Sequence, residues 1–235
     1  MFKKTIGILG GMGPVASADT YTELIKICQK KYKAVEDSDF PAVILYSLPL
    51  QDFSHTGFSE NSIQQKKIVN QLVNALKKLE NAGAEIIIID CNTVHYFFDD
   101  LQKSVNAPIV NLIDITVDKV KKNHYNKVAV LCSEASKNFG LYTKPLLAAG
   151  IEVLNTSKND QELVNEAILA VMSGGVATSH IANLNSIIDR FISDGAKSII
   201  LGCTEISNLA KKLNRGDIFL DSEMLAIEKA LTWAR

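Results

Sequence analysis

No Cys-x-x-Cys pair occurs in this sequence, and its four cysteines, at 28, 91, 132 and 203, stand far apart. Zinc knuckles and dense disulfide scaffolds, which draw on closely spaced cysteines, are thereby set aside. Neither sign of charge dominates: 25 Lys and Arg oppose 26 Asp and Glu, and the basic residues are spread along the chain. The compositional footprint of a nucleic-acid binder is therefore absent. Long apolar runs are missing too; the longest have the length of a strand, too short to cross a bilayer. The start, Met1-Phe2-Lys3-Lys4, is basic, but the apolar stretch behind it stops at Gly10-Gly11, too soon for the core of a signal peptide. A cytoplasmic protein without membrane or nucleic-acid partners is the expectation. With 47% hydrophobic and 22% charged residues the composition argues against disorder, and the length allows one large or two small domains.

What the chain does have is a repeated phrase. Ile86-Ile87-Ile88-Ile89 reads as a strand buried on both faces of a parallel sheet. It runs into Asp90-Cys91-Asn92-Thr93-Val94-His95. The phrase returns as Ser198-Ile199-Ile200-Leu201-Gly202-Cys203-Thr204-Glu205. Gly83-Ala84 introduces the first copy and Gly195-Ala196 the second, and the offset is 112 in both places (203 − 91 and 195 − 83). Each half of the chain thus offers a cysteine and a threonine at the carboxyl end of a strand, which is where ligands sit in open α/β sheets.

Strand and helix patterns alternate around these two phrases. Strands are expected at 6–9, 42–47, 86–89 and 108–112, and again at 127–131, 151–154, 198–201 and 218–220. Helices are expected from Pro14 onward with Val15, Ala18, Leu24, Ile25 and Cys28 near one face, then at 62–82, 93–105, 139–149, 161–172, 179–194 and 223–233. Residues 48–60, with His55 and Gly57, read as a loop, 133–136 as a polar turn, and 114–123 as the crossover between halves. Such alternation implies parallel sheets. The expected fold is α/β: two pseudo-symmetric parallel-sheet domains, duplicated flavodoxin-like halves, with the active site in the cleft between them. The first would comprise 1–114 plus 217–235 and the second 115–216. Pro14 suits a first helical turn, and Gly10-Gly11-Met12-Gly13 lets backbone N–H groups approach an anion. Gly11-x-Gly13-x-x-Ala16 weakly imitates a dinucleotide fingerprint, but Tyr46-Ser47 stands where that fold places an acidic residue.

Two thiols on related strand ends suit the inversion of a carbon stereocentre. One thiolate removes the α-proton, and the opposite thiol returns a proton to the other face. A free cysteine ionises near pH 8.5, so the base needs help, and a helix starting just after each cysteine would supply some. Thr93, Thr204 and nearby N–H groups suit a carboxylate and the charge that grows on it.

In Gly10-Gly11-Met12-Gly13-Pro14, Cys91-Asn92-Thr93-Val94-His95 and Gly202-Cys203-Thr204-Glu205 the chain resembles the aspartate/glutamate racemase family of cofactor-independent two-cysteine enzymes. Glu205 is similar to the aspartate branch, since the cell-wall glutamate racemases resemble one another in a histidine there. The resemblance implies no cofactor and no metal, an amino-acid substrate, a homodimer, and Cys91 and Cys203 as the acid/base pair. It places Met12, Asn92, Thr93 and Thr204 against substrate; Gly13, Ser133 and Glu205 join them as candidate contacts.

Three stretches depart from the family pattern. The Asp-Arg that grips a distal carboxylate is missing from Tyr46-Ser47-Leu48-Pro49-Leu50-Gln51-Asp52-Phe53-Ser54, and the family's lysine is missing from Asn159-Asp160-Gln161-Glu162-Leu163, with Lys158 nearest. Cys132-Ser133-Glu134-Ala135-Ser136 replaces an Ala-Thr/Gly-Thr turn. The reaction type is thus better indicated than the substrate, and an isomerase or lyase acting on a dicarboxylate such as maleate, or a binding protein without turnover, are the rival readings. Cys28 and Cys132 read as structural. His95 is expected to cap or pack rather than pair with a thiolate, and Cys91 with His95 lacks further ligands for a metal. His55, His124, His180 and the lysine clusters read as solvated.

Overall fold

Short β-branched runs and longer amphipathic segments become, in the computed structural model, strands and helices over the described residues 2–53, 62–213 and 215–235. The first half gives β1 (Ile6–Gly10), α1 (Pro14–Tyr32), β2 (Val43–Ser47), α2 (Ser62–Asn81) and β3 (Ile86–Ile89). A 3-10 turn (Thr93–Phe97) then runs into α3 (Phe98–Gln102), followed by β4 (Ile109–Val110) and α4 (Leu112–Lys122). The second half gives β5 (Lys127–Cys132), α5 (Glu134–Phe139), α6 (Thr143–Ala148), β6 (Glu152–Asn155), α7 (Lys158–Ser173) and α8 (Thr178–Ser193). It ends with β7 (Ile199–Gly202), α9 (Thr204–Ala210), β8 (Phe219–Asp221) and α10 (Ser222–Ala234).

Both sheets are parallel and share one strand order, β2-β1-β3-β4 in the first and β6-β5-β7-β8 in the second. The expected α/β class with duplicated parallel sheets is borne out. The central strands are sealed from water: Ile86, Ile87, Ile89, Ile199 and Ile200 are fully buried. Each such side chain contributes about 1.5–3 kcal/mol of burial free energy. No described helix is long and apolar enough to cross a membrane.

The described residues divide into two units, one of 2–53, 62–112 and 223–235, the other of 113–213 and 215–222. The boundaries differ from 114 and 217 for a topological reason. Residues 219–221 form β8, which pairs with β7 and stays with the second sheet. The chain therefore rejoins the first unit at Glu223, and at the far end of α10 the N–H groups of Lys3 and Lys4 bond the carbonyl of Ala234. The helix that follows the last strand of each sheet is thus exchanged: nearly all of α4 counts with the second unit, and α10 with the first.

Three local expectations are corrected, and part of a fourth lies outside the described residues. The 114–123 crossover is helix α4. The polar turn at 133–136 is the cap and first turn of α5: Ser133 Oγ accepts from the Ser136 N–H, and Gly140 (φ 67°) ends the helix before α6. The buried face of α1 is Ala16, Ser17, Thr20, Leu24, Ile27 and Cys28, leaving Val15 and Ala18 exposed. Counting only apolar positions misplaced that stripe, because two buried positions carry hydroxyls with hydrogen-bond partners. Of the 48–60 loop, residues 54–60, with His55 and Gly57, lie outside the described residues.

Candidate active site

Strand register places the two cysteines at matching points. Leu9 pairs with Ile89 in the first sheet and Leu131 with Leu201 in the second. Cys91 and Cys203 each stand two residues beyond the paired residue of the third strand, at the carboxyl end of the sheet. Both are buried. The same register matches Gly10 with Cys132, Gly11 with Ser133, and Asp90 with Gly202.

In the first unit Cys91 is followed by buried Asn92 and by Thr93, the buried first residue of the 3-10 turn. His95 holds this turn. Its Nδ1 lies 2.9 Å from the Cys91 carbonyl oxygen and its Nε2 3.4 Å from that of Val110, with the ring stacked on Phe98. Burial lowers its pKa, although the carbonyls of Cys91 and Val110 pull the other way. A neutral ring has one N–H, and the shorter contact assigns it to Nδ1. His95 thus grips backbone.

The glycine turn is shaped by contact as much as by ligand access. Gly11 (φ 93°) packs so closely on Leu48 that an added Cβ would lie 2.4 Å from its carbonyl oxygen. The Gly11 N–H donates to Ser17 Oγ at 3.0 Å, and Ser17 Oγ–H donates to Gly13 O at 3.1 Å. That N–H is therefore committed inside the protein. Met12 is half-buried, and Gly13 (φ 127°) caps α1 directly before Pro14.

In the second unit Cys203 is the N-cap of α9 and packs in the second unit's core. Its thiol donates to Glu205 Oε2 at 3.1 Å, and the Thr204 hydroxyl donates to the same oxygen at 3.1 Å. Burial raises the Cys203 pKa most, and the Glu205 carboxylate adds to it, while the N–H groups of Ile206 and Glu205 act in the opposite sense. Glu205 is itself 5% exposed, and its Oε1 accepts no hydrogen bond among the described residues. The strand end therefore holds a protonated thiol, two N–H groups suited to a thiolate, and one buried carboxylate oxygen without a donor.

Beside it, buried Ser133 caps α5 and also donates to Ser136 Oγ at 3.1 Å. Buried Cys132 is pushed up to about 12 by burial, with Lys137 pulling it down. Lys137 is a residue that sequence reasoning missed. From the fourth position of α5 it donates to the carbonyl of Thr156, just past β6, at 2.6 Å. Gln161, at the expected lysine stretch, is buried and donates to the Cys132 carbonyl at 3.0 Å. The signal for Lys137 was available only as helical spacing from Ser133, once α5 is known to start there.

The other candidates take plain roles. Cys28 is fully buried, with burial raising it to about 11. His124 is exposed, whereas half-buried His180 accepts the Ala177 N–H and caps α8. Among the described residues no group of three His, Cys, Asp or Glu is placed to hold a metal ion.

Comparison with known proteins bears on the family and the fold. A model of the Asp/Glu/hydantoin racemase family matches residues 9–230. The broad specificity amino-acid racemase RacX of Bacillus subtilis (strain 168) is 27% identical over 217 residues, 92% of either chain. The crystal structure of an aspartate racemase homologue from Pyrococcus horikoshii OT3 superposes with a TM-score of 0.78 at 31% identity, covering 98% of this chain and 99% of that one. An aspartate racemase of Picrophilus torridus gives a TM-score of 0.80 at 26% identity, covering 97% and 94%.

Proposed function

The chain belongs to the Asp/Glu/hydantoin racemase family, and we propose that it is a cofactor-independent amino-acid racemase of aspartate/glutamate type in which Cys91 and Cys203 are the acid and base. The observation that carries this reading is the equivalence of the two thiols: same strand, same register, each followed by a hydroxyl-bearing threonine and a helical turn.

The chemistry balances without a further reactant. One sulfur, as thiolate, takes the α-proton and becomes a thiol. The other, as thiol, gives its proton to the opposite face and becomes a thiolate. The electron pair left at the α-carbon spreads into the substrate carboxylate, where Asn92, Thr93, Thr204 and strand-end N–H groups offer donors. Burial and Glu205 keep the Cys203 proton in place before reaction. The N–H groups of Glu205 and Ile206 receive the thiolate formed afterwards. Glu205 Oε1 then has a natural donor in the substrate ammonium, and Met12, Gly13 and Ser133 complete the contacts. Lys137 supplies a cation at the second strand end, suited to a side-chain carboxylate.

The test is exchange of the α-proton in D₂O, followed by NMR and chiral chromatography across acidic, neutral and basic amino acids. Exchange with loss of optical purity in at least one is expected; no exchange with any would overturn the proposal.

A further inference from the structure

In the second unit a closed ring of hydrogen bonds runs from helix α5 to the end of β6, across α7 and back to α5. Lys137, the fourth residue of α5, donates through Nζ to the Thr156 carbonyl oxygen at 2.6 Å. The hydroxyl of the same Thr156 donates to Gln161 Oε1 at 2.5 Å. Gln161 Nε2 donates to Asn165 Oδ1 at 3.1 Å, and Asn165 Nδ2 to Glu134 Oε2 at 2.9 Å. Glu134 is the first residue of α5, so the ring returns to the helix that carries Lys137. A branch ties it to the sheet: Gln161 Nε2 also donates to the carbonyl oxygen of Cys132, the last residue of β5, at 3.0 Å.

A side-chain amide offers two N–H donors and one carbonyl oxygen. In Gln161 both donors and the oxygen have partners, and the orientation is forced: turned over, the amide would set its oxygen against the Cys132 carbonyl oxygen. Gln161 and Thr156 are both buried, where such bonds are stronger than at the surface. Gln161 is therefore committed to the protein rather than to a ligand, although it stands in the stretch where the family carries a lysine. The cation is Lys137 instead. It is half-buried, and its charge lowers the Cys132 thiol, which places it beside the end of β5. An ammonium carries three N–H groups, so the bond to Thr156 leaves donors for a ligand. Holding a long, flexible side chain in place before a ligand arrives removes the cost of ordering it from binding.

We propose that Gln161 is a positioning residue for substrate choice: by holding the Thr156 hydroxyl it fixes the Thr156 carbonyl, which anchors Lys137 Nζ at the second strand end, set to meet a carboxylate on the substrate side chain. Gln161 touches no substrate and acts only through Thr156 and Lys137. The preference for a carboxylate rests on the racemase reading, whereas the anchoring of Lys137 stands without it.

Three variants of the whole protein separate this from a merely structural role. Gln161→Leu removes the amide but strands the Cys132 carbonyl. Thr156→Val is milder, removing one hydroxyl and keeping the carbonyl that Lys137 meets, and Thr156→Ser keeps both groups. Acetylation of Lys137 by sulfosuccinimidyl acetate, read by peptide mass spectrometry, should be about threefold faster or more in Thr156→Val and Gln161→Leu than in wild type, and near the wild-type rate in Thr156→Ser. In the same two variants kcat/KM for acidic amino acids should fall about threefold or more while that for neutral ones is kept. With Lys137→Met already in place, Thr156→Val should change neither value, because the two residues act through one bond. Wild-type acetylation of Lys137 in Thr156→Val, or a loss shared equally by acidic and neutral substrates, would overturn the proposal. Acetylation needs no turnover, so a wild type that exchanges no amino acid would refute the racemase reading while the labelling still decides whether Lys137 is anchored.

Discussion

The two strand-end sites share a scaffold and differ in where each keeps its carboxyl groups. In the first unit the residue before the cysteine is Asp90, tied to Thr20 and Glu223. In the second the matching residue is Gly202, and a Cβ there would lie 2.7 Å from Tyr142 Cε2 and 3.1 Å from Cys132 Cβ. Tyr142 stands nine residues past Ser133, as Thr20 stands nine past Gly11, so one position has been filled in two ways. The buried phenol bonds Ser222 and Thr116 and closes the space an aspartate would need. The second site instead places its carboxylate after the cysteine, as Glu205, within reach of the thiol. A duplicated fold thus supplies equivalent sulfurs, while unlike neighbours give the two thiols different electrostatic settings. Cys203 is held as the thiol by its surroundings, whereas the acidic residue beside Cys91 meets a threonine of α1.

The largest expected effect removes the symmetry itself. Cys91→Ser and Cys203→Ser should each lower racemisation at least about 10³-fold, near the upper range for a lost acid or base, in a chiral assay with any accepted amino acid. Glu205→Gln sharpens the contrast between the sites. It should lower kcat/KM roughly 10–100-fold by weakening ammonium binding. The same change removes a charge that raises Cys203, so Cys203 alkylation at neutral pH should speed up while racemisation slows. Lys137→Met should reduce kcat/KM for acidic amino acids about 10-fold or more and spare neutral ones, because a charge-assisted bond is worth about 1.5–3 kcal/mol; Lys137→Arg should restore part of the loss.

The smallest effects concern stability. Cys132 rises from an ordinary 9.0 to about 12 in the fold. Its contribution is full below pH 9, where thiols of both folded and unfolded chains are protonated, and is lost as pH rises toward 12, at about 1.4 kcal/mol per unit. His95 works at the other end. Its pKa is lowered from 6.5, so its share is full above that value and is lost as pH falls below it. Melting temperatures should therefore plateau between these limits, and Cys132→Val should flatten the alkaline fall.

Much of this was legible in the sequence. The four-isoleucine strand and its copy fixed the parallel sheets, because continuous apolar runs belong to strands buried on both faces. The 112-residue offset marked the two cysteines before any register was known. What stayed hidden depended on polar groups paired at long range. Ser17 and Thr20 are buried because Gly11, Asp90 and Glu223 meet them, and no local pattern announces partners up to 203 positions away. Helix α4 was hidden because its amphipathic pattern, Leu112 to Lys122, read as a lysine-rich crossover. Lys137 was hidden because Ser133 looked like a turn residue, when it is the cap that starts α5.

The most direct measurement is α-proton exchange in D₂O by Cys91→Ala and Cys203→Ala, each offered the separate L and D enantiomers of a substrate that the wild type racemises. Two-thiol racemisation predicts that each variant exchanges deuterium into one enantiomer only, without inverting it, and that the two variants choose opposite enantiomers. Exchange of both enantiomers by either variant, or the same handedness in both, would contradict it.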